Sequence, residues 1–318
     1  MYFEDLGVII AFVMKKLVET YNLVKEYEQS VRAVDDVSFS LYEGEILGIL
    51  GPNGAGKTTT LQMLMGILKP TSGKVFLFGK ELEKYREEVL SKINFSSTYV
   101  HLPWRLTVEE SLKFISFLYP IEDRKGRLEK IKKLFRLEEI WKKQNMELSA
   151  GQLTRVSLAK ALVNFPKVLF LDEPTASLDP EVASYVRKFL LEEREKFGVS
   201  IILTSHNMAE VEELCDRVIF LHKGKILDEG SPEDLAAKIK TSHLTLMVVD
   251  GLKRTIEICK EQNLKFSLKK RYITIDINEK RIAWFLNLLA RKSVEYEEIS
   301  IEKPDLEDYF LEVARYKR

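Results

Sequence analysis

Residues Gly51 to Thr59 read GPNGAGKTT, in which three glycines, a lysine and two hydroxyls are spaced to hold a polyphosphate. Gly51, Gly54 and Gly56 allow the backbone to fold closely around phosphate oxygens, and Lys57 supplies a fixed cation. Pro52, Asn53 and Ala55 complete the loop, and the hydroxyl of Thr58, with Thr59 beside it, stands where Mg²⁺ would sit. The strand-like EILGIL precedes the loop and the helical pattern TTLQMLMGIL follows it. The helix N-terminus therefore turns its N–H groups and the positive end of its dipole toward the anion.

A second group of reactive residues lies about 115 positions further on, in VLFLDEPTASLDP, Val168 to Pro180. Asp172 and Glu173 end a buried strand, where ligands of open α/β sheets collect. Alternation along a strand points neighbouring side chains to different surroundings. Asp172 is accordingly assigned to the Mg²⁺ shell through water, and Glu173 to orienting and deprotonating the water that attacks the γ-phosphate. In isolation two acids at this place would simply end a strand or cap a helix; the phosphate loop decides the reading. SIILTSHN, Ser200 to Asn207, is another buried strand, and its His206 is placed to hydrogen-bond the γ-phosphate. His101, His222 and His243 belong to no such pattern and read as structural.

These groups need a scaffold, and the apolar runs EILGILG, VLFLDEP, SIILTSH and DRVIFLH supply it. Runs of four to eight residues alternating with amphipathic segments indicate parallel strands covered by helices. Phe95 to Pro166 is rich in helix formers and charge and reads as a helical insertion. Beyond Asp234 the order is strand (243–250), helix (252–263), two strands (266–277), helix (280–291) and strand (294–301), a small split βαβ unit.

The 318 residues contain 49 basic and 49 acidic side chains, a balance that excludes the basic footprint of a nucleic-acid-binding protein. Cys215 and Cys259 are too few and too far apart for a disulfide framework, which favours a reducing compartment. A membrane-spanning helix needs about 20 apolar residues. The longest apolar stretch here is the nine-residue LGVIIAFVM, Leu6 to Met14, preceded by Glu4 and Asp5 where a secretory signal would be positive. Met14 followed by Lys15 and Lys16 reads as a start, so residues 1–13 are expected to be an extension.

LSAGQLTRVSLAKAL, Leu148 to Leu162, is a glycine-bearing turn leading into an amphipathic helix, about twenty residues before VLFLDE. Together with GPNGAGKTT, VLFLDEPT, SLD and the histidine of TSH, it resembles the ATP-binding cassette superfamily over about Leu17 to Leu235, roughly two thirds of the chain. The resemblance implies a P-loop NTPase (RecA-like) α/β core with an antiparallel edge subdomain and a helical insertion, and a small α+β C-terminal domain. The cassette would occupy residues 14–240, with its helical subdomain at about 95–166, and the accessory domain residues 241–318. ATP and Mg²⁺ are the implied cofactors.

By that likeness, Ser149, Gly151 and Gln152 face the γ-phosphate held by the opposite copy of a head-to-tail dimer. Asp179 of SLD crosses the interface to organise the other site, although its position also suits a helix N-cap. Tyr27, in LVKEYEQSVRAVDDVSF, occupies the place of an aromatic ring that stacks on adenine. Two departures stand out. Ala150 replaces a usual glycine, which a right-handed backbone tolerates. In INFSSTYVHLPWRLTVEESL, Ile93 to Leu112, Ser97 or Thr98 stands where the family has a Mg²⁺-ligating glutamine.

The tail resembles the C-terminal extension of bacterial and archaeal exporter cassettes for drugs, antimicrobial peptides or sodium. The resemblance thus implies an ATP-hydrolysing subunit, paired with itself or with another cassette, at the cytoplasmic face of the membrane beneath a separate transmembrane permease. A non-transport cassette acting on ribosomes or chromosomes is the alternative, and would need a coiled-coil insertion or a second cassette. A P-loop kinase would lack LSAGQ and SLD.

Overall fold

The computed structural model describes residues 15–28, 31–97, 102–176 and 178–316. The expected extension at residues 1–13, and Thr98, lie outside the described residues. The chain divides into two compact units after Gly230.

The first unit opens with β1 (Lys16–Tyr27), β2 (Val31–Val37), β3 (Ser40–Tyr42), β4 (Ile46–Leu50), α1 (Lys57–Leu64), β5 (Ser72–Leu77), β6 (Lys80–Glu81) and α2 (Arg86–Leu90). It continues with β7 (Ile93–Ser97), α3 (Val108–Ser116), α4 (Arg124–Leu134), α5 (Ala150–Ala161), β8 (Val168–Asp172) and α6 (Pro180–Phe197). β9 (Ser200–Ser205), α7 (Met208–Leu214), β10 (Arg217–His222) and β11 (Lys225–Gly230) complete it. Six strands form the central sheet in the order β11-β10-β4-β9-β8-β7, parallel except for the β10–β11 hairpin. A second, antiparallel sheet joins β2, β1, β5 and β6, with β3 also on β1.

The sequence dictates which strands go deepest. β4, β8 and β9 are buried at every residue, matching their unbroken apolar character, which only a sheet covered on both faces can use. Each fully buried Leu, Ile or Phe stabilises the fold by about 1.5–3 kcal/mol. Leu17, Val34 and Val75 of the antiparallel sheet share one core with Leu61 of α1, Phe170 of β8 and Ile202 of β9. The helices are delimited by their end residues: Thr107 with Glu110 and Ser149 with Gln152 form capping boxes, and α6 starts at Pro180 and ends on left-handed Gly198.

Two boundaries differ from expectation. Ile93–Ser97 is a parallel edge strand on β8, so the expected helical subdomain loses its first residues to the sheet. The division of the chain falls at 230/231 instead of 240/241, because α8 (Pro232–Ala236) packs on the terminal helix of the second unit.

That second unit continues with β12 (Thr241–Asp250), α9 (Leu252–Glu261), β13 (Lys265–Lys269), β14 (Tyr272–Asn278), α10 (Glu279–Arg291), β15 (Glu295–Glu302) and α11 (Leu306–Tyr316). Its antiparallel sheet runs β13-β14-β12-β15, the order of a split βαβ fold. β12 alternates buried and half-buried residues, and Leu244, Leu246, Ile273 and Ile275 pack with Ile258, Phe285 and Leu289 of the two helices.

Candidate functional site

The turn between β4 and α1 is closed by glycines that nothing larger could replace. Gly56, the N-cap of α1, has φ 104°, and a Cβ built on it would lie 2.3 Å from the carbonyl oxygen of Ala33 in β2. At Gly51 a Cβ would lie 2.2 Å from the carbonyl oxygen of Leu221 in β10. The loop is thus clamped between the antiparallel sheet and the central sheet. No side chain caps the start of α1, which leaves its first N–H groups for an anion. Lys57 is buried, with Nζ donating to the Gly51 carbonyl at 2.7 Å, so its charge is folded back over the loop.

Thr58, one residue on, faces the end of β8. Its hydroxyl donates to both Asp172 oxygens at 3.3 Å, and Asp172 Oδ1 accepts a 2.6 Å bond from the Thr204 hydroxyl. Asp172 is the last residue of β8, and Glu173 turns out of the strand with φ 53°. The two carboxylates therefore part at a left-handed turn, a conformation that costs about 1–2 kcal/mol for a residue with a Cβ, and not through simple strand alternation. The backbone of β9 holds that turn: Glu173 N–H donates to the Thr204 carbonyl at 3.2 Å and lies 3.1 Å from its hydroxyl.

So directed, the Glu173 carboxylate bridges two cations or potential cations. Oε1 is 3.8 Å from Lys57 Nζ, and Oε2 is 2.7 Å from His206 Nδ1. His206 is mostly exposed and Glu173 mostly buried, so the imidazole closes the pocket on its solvent side. Beneath them Glu210, 2% exposed, accepts 2.6 Å bonds from the hydroxyls of Thr175 and Ser205. This buried carboxylate ties the segment after β8 to the end of β9.

Among the described residues no cluster of three or more His, Cys, Asp and Glu could by itself cage a metal. A single carboxylate beside a hydroxyl at the mouth of a phosphate loop is the oxygen-only, incomplete set that Mg²⁺ takes when phosphates supply the rest. Asp172 and Thr58 fit that requirement. Ser97 lies opposite Asp172 in the β7–β8 register, and both line a cavity of about 240 Å³ with Thr58 and Gln62.

Over 303 residues, 94% of this chain and 97% of its relative, the sequence is 31% identical to the uncharacterized ABC transporter ATP-binding protein YcbN of Bacillus subtilis. The chain belongs to the ABC transporter ATP-binding proteins. Residues 34–176 match the family described as ABC transporter. The chain is also 33% identical to the bacitracin transport ATP-binding protein BcrA of Bacillus licheniformis, over 76% of this chain and 78% of that one. The methionine import ATP-binding protein MetN of Halalkalibacterium halodurans is 36% identical over 68% of this chain and 65% of its own length. Among solved structures, CbiO1 of Clostridium perfringens matches with TM-score 0.63 at 30% identity, covering 70% of this chain and 92% of that one. The dimeric cassette MJ0796 matches with TM-score 0.60 at 28% identity, covering 68% and 98%. A post-hydrolysis state of MJ0796 with ADP and Pi matches at 0.60 and 26%, over the same shares.

As an ABC cassette the chain binds ATP and is an ATPase. Its expected site residues fall into two sets. Gly51 to Thr58, Asp172, Glu173 and His206 stand together as described above. Ser149, Gly151, Gln152, Asp179 and Tyr27 make no hydrogen bond or ion pair with them among the described residues. Ser149 and Gln152 cap α5 reciprocally, Ala150 is the helical first residue of that element, and Asp179 is the N-cap of α6, its carbonyl accepting from Ala183 N–H at 2.9 Å while its side chain makes no capping bond. Tyr27 ends β1 and is 45% exposed. Thr204, Glu210 and Thr175 were not singled out in the sequence; the signal was the pair of hydroxyls in LTSH, polar residues inside an otherwise apolar strand.

Proposed function

We propose that two cassettes, either two copies of this chain or this chain and a related one, close around two ATP molecules and reopen after hydrolysis, and that this cycle drives a separate transmembrane permease in export. In this reading Gly51 to Thr59 hold the phosphates of one ATP and Tyr27 its adenine. Ser149, Gly151 and Gln152 of the opposing cassette complete the same site, and Asp179 joins the two halves. The exposed start of α5, whose capping residues are free of the phosphate-loop cluster, supports an action on a second chain.

The observation that carries the reading is Glu173, aimed by a left-handed turn and held between Lys57 and His206. A carboxylate so placed takes the proton from a water directed at the γ-phosphorus, while Lys57 offsets charge on the phosphate oxygens and His206 keeps the carboxylate oriented. Mg²⁺ held by Thr58 and Asp172 would neutralise charge on the β- and γ-phosphate oxygens. Glu173→Gln keeps the shape and loses the base, so turnover should fall by about 10²-fold or more while ATP still drives dimer formation in sedimentation. Near-normal turnover in that variant would remove Glu173 from this role.

Among the described residues no helix is long and apolar enough to cross a membrane. Membership of the ABC transporter ATP-binding proteins is what supports work through a permease and a peripheral place on the cytoplasmic membrane face. The names of the relatives point both ways, to bacitracin transport, to a probable multidrug transporter and to methionine import. We favour export because the C-terminal unit, which the match to YcbN also spans, resembles the C-terminal extension of exporter cassettes. Inside-out vesicles carrying the chain and its co-purifying permease should accumulate a peptide antibiotic when given ATP. ATP-driven uptake of methionine by right-side-out vesicles instead would reverse the assigned direction.

A further inference from the structure

The sheet of the C-terminal unit has two free edges of opposite charge. One is β13, KFSLK, followed by Lys270 and Arg271; the other is β15, EYEEISIE. On the face turned away from α9 and α10, the pairing registers lay out rows across the sheet. The first row is Lys265, Asp276, His243 and Glu302; the second is Ser267, Thr274, Thr245 and Ser300. Lys269 and Tyr272 start the third, and Glu298 ends it, accepting a 2.9 Å bond from the Tyr272 hydroxyl. Each outer row is thus basic at one edge and acidic at the other. On the helix-covered face Phe266 and Leu268 mark the first edge, Ile301 and Ile299 the second. Leu268, Ile299 and Ile301 are 46–49% exposed, on strands whose outer backbone groups pair with nothing in the sheet.

We propose that β13 of one copy pairs antiparallel with β15 of a second copy, joining two four-stranded sheets into one. Lys265 then lies opposite Glu302, Ser267 opposite Ser300 and Lys269 opposite Glu298, while Phe266 meets Ile301 and Leu268 meets Ile299. Every position finds its complement in one register, and a slip by one residue would set charges against apolar side chains. Charged edge strands ordinarily prevent pairing. That protection requires like charges to meet, whereas here the opposite edge of the same sheet is acidic. Lys265 and Lys269 form no ion pair among the described residues. The contact is head-to-tail, so a pair keeps one basic and one acidic edge and larger assemblies follow as concentration rises. The nucleotide site takes no part in it.

The test is sedimentation of the full chain without nucleotide. The wild type should associate in a concentration- and salt-dependent way. Lys265→Glu with Lys269→Glu should weaken that association by about tenfold or more, and Glu298→Lys with Glu302→Lys should do the same. The two variants mixed should associate with each other, since each then carries the edges the other lacks; this restoration also shows that both are folded. Ser267→Cys with Ser300→Cys should give cross-linked multimers on mild oxidation, the native Cys215 and Cys259 being buried. A chain that stays monomeric at all soluble concentrations would overturn the proposal. So would stronger association after Lys265→Ser with Lys269→Ser, which would mark the lysines as guards of the edge.

Discussion

Thr204 illustrates how one side chain can serve two others that act. Its hydroxyl donates to Asp172 at 2.6 Å and its backbone carbonyl receives the N–H of Glu173, so a single residue of β9 fixes both carboxylates at the end of β8. Valine fills nearly the same volume, and the change would leave the strand in place while orphaning one lone pair of Asp172. A net hydrogen bond near 1.4 kcal/mol corresponds to a factor of ten, so Thr204→Val should lower ATP turnover by about tenfold and the cassette's thermal midpoint by about 2–4 °C per kcal/mol lost. Equal turnover in steady-state assays would mean that Asp172 and Glu173 are positioned by the strand alone. Glu173 itself carries a strained φ of 53°, which sequence cannot announce, because a left-handed glutamate looks like any other glutamate in a string of letters. What the string did announce was the chemistry: glycines around a lysine, and acids after an apolar run.

Among the elements, α6 carries a feature that works against stability. Glu193 faces inward at 1% exposure, and its Oε2 has no hydrogen-bond partner among the described residues. Burial pushes its pKa from 4.5 up to about 7, with Lys196 pulling it down and Glu192 pushing it up. Between those two values the folded cassette holds a proton that the unfolded chain releases, so stability falls as pH rises through the window. Glu193→Met should remove that slope and raise the cassette's thermal midpoint above the window by about 2–4 °C per kcal/mol relieved. An unchanged slope in calorimetry would place the titration elsewhere. The same helix shows why elements were legible where contacts were not. Pro180 at its start and Gly198 at its end are local signals, as are the unbroken apolar letters of β4, β8 and β9. β7 was missed because INFSS is short and half polar, and only pairing with β8 makes it a strand. Likewise the network of Glu210 with Thr175 and Ser205 joins segments 35 and 5 residues apart, a proximity that no periodicity encodes.

For the whole molecule, the division after Gly230 separates two kinds of response. All residues of the phosphate-loop cluster belong to the first unit, so ATP should raise that unit's unfolding transition by mass action, about 2.7 kcal/mol at a hundredfold excess over Kd, and leave the second in place. The second unit has its own handle in His243, whose Nδ1 meets Asp276 at 2.9 Å and whose Nε2 meets Asp308 of α11 at 3.2 Å. Partial burial lowers its pKa, but the hydrogen bonds and charges of Asp308 and Asp276 outweigh that and raise it above 6.5. The folded unit therefore binds a proton more tightly than the unfolded chain does. The stabilisation is complete below the ordinary value of 6.5 and is lost as pH rises through the raised one. Scanning calorimetry of the intact chain should accordingly resolve one transition that moves with ATP and another that drops as pH climbs through the raised pKa of His243, and His243→Asn should flatten only the latter. A single transition that followed both ATP and the His243 substitution would mean that the two units unfold as one, and that nucleotide binding reaches α11 through the body of the protein.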